Sequence, residues 1–520
     1  MQTNSRTARR IAVAALLIAV GNIASRLIGI VREAVIAWLF GRGADVAVFT
    51  AASAMPTIVY DLLINGAISA ALVPVFSAYA EADDDEFWRV AASITTIALA
   101  AVTFVTGLLI WQAPLAVTIL AGGFNEDLRE QAILTTQLLL PATISMALSG
   151  LITALLQARQ KFLLPAFTTS AFNIGVIAAA LLLTPLLGPL SLVIGVLAGS
   201  FLQVILQLPG LRGVTFRLRL ELGHPGVRRI LKLYAPVALG IGFSVAGIII
   251  DRNLASRLDP GTIPTMRYAT TLIQFPLGLV AAAVSFAVLP TLSRLAANRD
   301  EEQFRATLAM GIKVVTLLIL PATAGLAVLG TPIVELLYQR GAFEARDTAA
   351  TARALLFYLP GLPAAAIDQM LLFAFYARNR TLAPNLVQGV AIGIYALVAI
   401  GLLSLSTLRI EALILGNTAQ WIGHVIILLL LSRRLIDLRG LRIGEALVKC
   451  LIASGVLAVA TALLSPLLES IGGSLLALAG GGILAGGAYL GVCIALRVEA
   501  IEYVMIAIRM RLRHNIDSKK

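Results

Sequence analysis

Fourteen mostly apolar stretches, each of about 20 residues or more, follow one another along the chain and leave room for little but short connections. Their approximate limits are 11–39, 46–78, 88–118, 130–157, 163–185, 189–209, 229–257, 264–294, 304–330, 348–377, 382–404, 408–432, 445–467 and 473–496. A soluble core cannot hide this much apolar surface, because the buried share of a domain saturates as it grows. With 59% hydrophobic and 13% charged residues among 520, the chain is expected to use the bilayer as its solvent. The first stretch follows Arg6, Arg9 and Arg10, as a signal peptide would. It then runs on to about Phe40 without a small-residue cleavage site, so it is read as an uncleaved first helix.

The formal charge is +12, which in a soluble protein points to nucleic acid. Its placement points elsewhere. With the N-terminus inside, 29 of the 40 Lys and Arg fall on the inner side, concentrated in the 210–232 and 433–449 connections and the C-terminal tail. That asymmetry follows the positive-inside rule, and predicts cytoplasmic termini and no nucleic-acid partner. The tail from Val498 mixes Ile501, Val504, Met505 and Ile508 with Arg509, Arg511 and Arg513, the pattern of an interfacial amphipathic helix. Cys450 and Cys493 lie inside apolar runs, and no HExxH or CxxC spacing exists, so neither a disulfide framework nor a metal centre is expected.

The chain repeats itself. Ala158-Arg159-Gln160-Lys161-Phe162-Leu163-Leu164-Pro165 aligns with Ala377-Arg378-Asn379-Arg380-Thr381-Leu382-Ala383-Pro384 at an offset of 219. Leu140-Pro141 and Leu359-Pro360 share that offset, as do Phe124 and Phe343, and Pro74–Ser77 resembles Pro290–Ser293 with a small slip. The offset spans six helices, an even number, so the two halves have the same orientation. The expected fold is an all-α polytopic membrane protein with about 14 spans. It comprises an N-terminal lobe (1–220), a pseudo-symmetric C-terminal lobe (221–435), each of six helices, and two added helices with the tail (436–520). Parallel repeats of this kind suit alternating access, with binding between the bundles.

Ionisable groups within spans are costly and mark sites by default. Helix 1 carries Arg26 and Arg32-Glu33, helix 2 Asp61 and Asn65, helix 5 Asn173, and helix 7 Asp251-Arg252. Arg267 and Gln274 lie on helix 8, Asp368 on helix 10, and Asn417, Thr418 and His424 on helix 12. Arg32 reads equally as a site residue or as an interfacial arginine whose stem snorkels. Asp251 reads equally as a structural ion-pair partner or a coupling-cation ligand. A lone His such as His424 is ordinarily packed or hydrogen-bonded to a neighbour. No nucleophile, base and orienter stand together and no phosphate-binding glycine loop is present, which argues against nucleophilic catalysis and a single-chain ATP-driven pump.

Ala24-Ser-Arg26-Leu-Ile-Gly29-Ile-Val-Arg32-Glu33 through Phe40-Gly41, and Pro56 through Asn65-Gly66-Ala67 to Pro74-Val-Phe, are similar to the first- and second-helix signatures of the MviN/MurJ lipid II flippases. Leu254–Leu258, Tyr268-Ala269, Phe275-Pro276-Leu-Gly278 and Leu289–Ser293 resemble the helix 7–8 region. Tyr338-Gln-Arg340-Gly341-Ala-Phe343 with Asp347, then Phe375–Arg378, resemble helices 9–10. The resemblance implies the fold of the multidrug/oligosaccharidyl-lipid/polysaccharide exporter superfamily, a monomer in the bacterial cytoplasmic membrane. It implies movement of lipid II, an undecaprenyl-pyrophosphate-linked peptidoglycan precursor, from inner to outer leaflet, with no cofactor and with sodium or proton coupling.

Arginine forks suit pyrophosphate. The substrate-binding residues expected from the resemblance and the intramembrane placement are Arg26, Arg32, Arg267, Arg252, Asn65 and Gln274, with Asp251 and Thr418 for a coupling cation. The chain departs from the family pattern at Tyr60-Asp61, where an arginine is usual, and at Asn65, Thr271 and Gln274, where the family has Glu, Arg and an acid. Other readings are a flippase for another lipid-linked glycan, a cationic-drug exporter on the same fold, a membrane glycosyltransferase or acyltransferase, and a non-transporting scaffold. The paired arginines argue against a cationic cargo. The short outer connections, with scattered acids such as Glu126-Asp127, argue against the transferases.

Overall fold

The structure, a computed structural model, describes residues 2–212, 219–433 and 437–502, and within them all side chains except those of 2–16, 69–70, 236, 281–287, 472 and 474–475. Lipid offers the backbone no hydrogen bonds, so apolar segments must satisfy their own N–H and C=O groups within the helix. The described residues are accordingly helical, with no strand among them. The backbone falls into two compact units. One holds the chain up to Arg267 together with Arg340–Glu344; the other holds Tyr268–Gln339 and the chain from Ala345 onward.

In chain order the helices are α1 (Gln2–Phe40), α2 (Ala44–Tyr60), α3 (Val73–Ala82), α4 (Asp84–Trp111), α5 (Ala113–Ala121) and α6 (Glu126–Leu139). Next come α7 (Ala142–Ala158), α8 (Leu163–Ala166), α9 (Thr168–Leu187), α10 (Leu190–Gln207) and α11 (Pro225–Ser256). Then follow α12 (Thr262–Ala297), α13 (Glu301–Tyr338), α14 (Ala345–Tyr358), α15 (Leu362–Ala377), α16 (Leu382–Leu405), α17 (Ile410–Ser432) and α18 (Ile443–Ala495). Among the described residues, twelve helical stretches are long and apolar enough to cross a membrane. The first and eighth expected segments lie outside those twelve, yet both are helical throughout, as α1 and α12.

Three local departures from straight helices matter. The second expected span is not one α-helix. Between α2 and α3 the chain forms two π-helical stretches, Asp61–Asn65 and Ile68–Leu72, around Gly66. The fourth and tenth spans break at the repeated Leu-Pro, as α6/α7 and α14/α15, because proline lacks the N–H a continuous helix needs. The last two spans form the single element α18, which reverses at Gly473 (φ +77°), a conformation open to glycine. Ala453 and Leu457 before that point share one buried cluster with Ala485, Tyr489 and Cys493 after it. Val498, Ala500 and Ile501 join the same cluster, and Lys313 Nζ, itself buried, donates to Glu499 Oε2 at 2.5 Å. The rest of the expected amphipathic tail, from Val504 to Arg513, lies outside the described residues.

The duplication is visible in bond-by-bond detail. α7 and α15 both end in a Schellman turn whose left-handed residue is Gln160 (φ 58°) in the first half and Asn379 (φ 56°) in the second. The Lys161 N–H donates to Leu156 O at 2.8 Å, and the Arg380 N–H donates to Phe375 O at 2.9 Å. Arg159 ion-pairs with Asp84 and sits over the Phe87 ring at 4.8 Å; Arg378 ion-pairs with Glu301 and sits over the Phe304 ring at 4.5 Å. The helices receiving these arginines start alike. Asp83 Oδ1 accepts the Asp85 and Glu86 N–H groups of α4, and Asp300 Oδ1 accepts the Gln303 N–H of α13. Asp83→Ala or Asp300→Ala should each lower stability by about 1 kcal/mol, read as a lower melting temperature of the purified protein.

Candidate functional site

On α1, Glu33, Ile36 and Ala37 are buried, whereas Leu27, Val31 and Trp38 are exposed. That is the 3.6-residue alternation of a helix with one face on protein and one on lipid. The buried face rests on α9, and Glu33 stands within it. An unpaired carboxylate there would be prohibitively costly, and the fold supplies two guanidiniums. Arg32 donates to Glu33 Oε1 through Nη2 at 2.6 Å and Nε at 3.1 Å. Arg267, from α12, forms a two-pronged bond through Nε to Oε2 at 2.7 Å and Nη2 to Oε1 at 2.8 Å. The second of these pairings joins positions 234 residues apart.

Neutral groups orient both arginines. Arg32 Nη1 donates to Asn173 Oδ1 at 2.9 Å, and Asn173 Nδ2 donates in turn to Ser25 O at 3.2 Å. Arg267 Nη1 donates to Thr50 Oγ1 at 3.0 Å, with its guanidinium 5.5 Å from the Phe49 ring centre. Two guanidiniums against one carboxylate leave a net +1. The carboxylate is sealed, with 2% of its side chain exposed, while Arg32 keeps 24% and Arg267 keeps 16%. The cluster therefore turns its cations, not its anion, toward open surface. It can receive an anionic group while Glu33 and the neutral partners hold the arginines in place.

The structure thus brings Arg32 and Arg267 onto a single acid. Arg26 is exposed on α1, about 10 Å along the helix axis from Glu33. Asn65 is exposed at the end of the first π-helical stretch and donates to Asp61 Oδ1 at 2.8 Å, so two of the residues that depart from the family pattern bond to each other. Arg252 lies half-buried on α11, its Nη1 buried without a hydrogen-bond partner among the described residues; Asp251 precedes it, also half-buried. In the second unit, Gln274 is exposed on α12, and Thr418 Oγ1 on α17 donates to Phe357 O at 3.2 Å. The sequence marks Glu33, directly after Arg32, and Asn173 as polar groups within spans without assigning them to the substrate site, and it carries no signal for Thr50. No group of three or more potential metal ligands occurs among the described residues.

An all-helical membrane protein of two repeated halves, holding a net-positive Arg–Glu–Arg cluster, has the fold of a membrane transporter. The family model described as "Lipid II flippase MurJ" matches residues 36–516. A probable lipid II flippase MurJ of Haemophilus influenzae is 32% identical over 395 residues, 72% of this chain and 76% of the relative. The lipid II flippase MurJ of Burkholderia cenocepacia is 32% identical over 68% of this chain and 71% of its own length. Among solved structures, a lipid II flippase MurJ in an inward closed conformation superposes with a TM-score of 0.78 at 23% identity, over 93% of this chain and 99% of that one. A multidrug resistance MATE family transporter of the MOP superfamily, inward-facing, reaches 0.69 at 13% identity over 83% and 98%, a likeness of fold. The chain belongs to the lipid II flippase MurJ family, a family of transporters and not of enzymes.

Proposed function

We propose that the chain moves lipid II from the inner to the outer leaflet of a bacterial cytoplasmic membrane by alternating access, as a monomer with cytoplasmic termini. The observation that carries this reading is the Arg32–Glu33–Arg267 cluster, a net-positive group that keeps its acid sealed and its cations partly open. Pyrophosphate offers several anionic oxygens at spacings that guanidinium forks match. Arg32 and Arg267 take the pyrophosphate, held by Glu33, Asn173 and Thr50. Arg26 is the next cation along α1, and Arg252, Asn65 and Gln274 are further substrate contacts. The drive is the membrane potential with a sodium or proton gradient, and Asp251 and Thr418 are cation-ligand candidates.

Charge reversal tests the site. In a strain depleted of its own lipid II flippase, the wild-type chain should restore growth and outer-leaflet lipid II. Arg26→Glu with Arg32→Glu, expressed equally, should not. Normal transport by that double variant would remove the site assignment. A second reading, the same lipid carrier bearing another glycan, is favoured by Asp61 and Thr271 standing where the family carries arginine. Failure of the well-expressed wild-type chain to rescue would move the assignment to that glycan or to a scaffold.

A further inference from the structure

His424 on α17 is buried, and its ring is met by acceptors at both nitrogens. Asp368 Oδ1 of α15 lies 2.6 Å from Nδ1, and Pro384 O of α16 lies 3.4 Å from Nε2. A neutral imidazole has one N–H. Beside an ionised Asp368 it would therefore turn a lone pair toward one of these oxygens. Both contacts become hydrogen bonds only when the pair holds one more proton, either as imidazolium with carboxylate or as neutral imidazole with carboxylic acid. Three helices are thus drawn together around a proton. Loss of that proton leaves the N–H on Nδ1 toward Asp368 and turns the Nε2 contact with Pro384 O into a lone-pair repulsion, which loosens α16 from the α15–α17 pair.

The location suits a transport step. Asp368 is about 14 Å along its helix from Ala377, and His424 about 12 Å from Ser432, near the middle of a hydrocarbon layer about 30 Å thick. Asp368 keeps 18% of its side chain exposed and His424 keeps 5%, so access is from the aspartate side. The surrounding helices carry few competing charges. α16 has no Asp, Glu, Lys, Arg or His, and its Tyr395 is buried. On α17, Glu411 is paired with Arg353 of α14 at 2.8 Å, and on α13, Lys313 is paired with Glu499. On α15 itself, Tyr376 stands two turns beyond Asp368.

We propose that the Asp368–His424 pair is the proton-binding site of the second unit, and that the proton is the coupling ion which closes α16 onto the α15–α17 pair in one state and releases it in the other. This deepens the transport reading and rests on it for the word coupling; the proton-linked packing stands on geometry alone. Two arms separate them. In the purified full chain in lipid nanodiscs, amide hydrogen exchange across α15–α17, corrected for intrinsic rates, should rise about tenfold between roughly pH 6 and pH 9. Asp368→Asn and His424→Gln should each abolish that pH dependence. If either well-folded variant keeps the wild-type response, or the wild type shows none, the proposal falls. In proteoliposomes containing lipid II, an imposed pH gradient should change the wild-type flipping rate and leave that of both variants unchanged. Gradient-sensitive flipping by the variants also overturns it. A pH-responsive wild type that flips no lipid II leaves the proton site standing and removes the substrate assignment.

Discussion

Glu33→Ala should abolish lipid II flipping and cost about 3–5 kcal/mol of stability, because it leaves two arginines in a protein interior without their counter-charge. The cost arises from what remains. Arg32 loses two hydrogen bonds and Arg267 loses two, while Asn173 and Thr50 still hold the guanidiniums in place. The melting temperature of the purified variant should therefore fall together with rescue of the depleted strain. A second variant separates the two effects. Replacing Arg32, Glu33 and Arg267 together by leucine removes all three charges at once and leaves only the neutral acceptors of Asn173 and Thr50 without their donors, and apolar replacement of a buried ion cluster is often neutral or stabilising. The triple variant should recover much of the lost stability and none of the transport. If it transports, the cluster holds the fold together and plays no part in substrate binding.

The second large effect concerns α9 and α10, which pack along each other in the first unit. A Cβ at Gly175 would lie 2.5 Å from the Cα of Gly199, and one at Gly199 would lie 2.5 Å from the Phe172 carbonyl oxygen. Both obstacles are backbone atoms, which cannot rotate away as a side chain can. Membrane helices pack closely through small residues, since lipid gives them no hydrophobic drive to associate. Gly175→Leu or Gly199→Leu should cost about 1–3 kcal/mol or more by overpacking, read as lower yield and earlier thermal aggregation in detergent. Gly107→Ala on α4 is the control. Nothing lies within 4 Å of its added Cβ, and helix propensity favours alanine there by up to about 1 kcal/mol. An unaltered melt for Gly199→Leu would show that the pair tolerates separation.

The helical architecture was largely written in the apolar runs, because a backbone in lipid has few solutions and each run is long enough to declare itself. The duplication was legible for a similar reason. The Ala-Arg-x-basic blocks at 158–161 and 377–380 encode a helix end, and the same turn reappears in both places with the same hydrogen bonds. What stayed hidden depends on approach in three dimensions. Arg267 was legible as a costly charge, but nothing local says that its partner lies 234 residues away. His424 was expected to be packed or hydrogen-bonded to a neighbour, and it is both; that the neighbour is an acid depends on how α15 meets α17. The π-helical stretches at 61–65 and 68–72 have no marker beyond Gly66 and the polar residues beside it, because backbone widening is a compromise with packing on the far side of the helix.

Those stretches bear on how this chain tolerates change in length. A π-helical turn is what remains when an α-helix absorbs one surplus residue without unwinding. Excising a residue between Asp61 and Leu72 would let the backbone relax into ordinary α-helix, a locally comfortable outcome. The surplus residue is taken up inside the π-helical turn, so the chain downstream would keep its place about the axis, whereas a deletion within α2 would swing it by about 100°, one residue's share of a 3.6-residue turn. Val75 and Phe76, both fully buried, would keep their cluster in the first case and leave it in the second, with exposed Pro74 rotating with them. A library of single-codon deletions across this span should therefore fail more often within α2 than between Asp61 and Leu72.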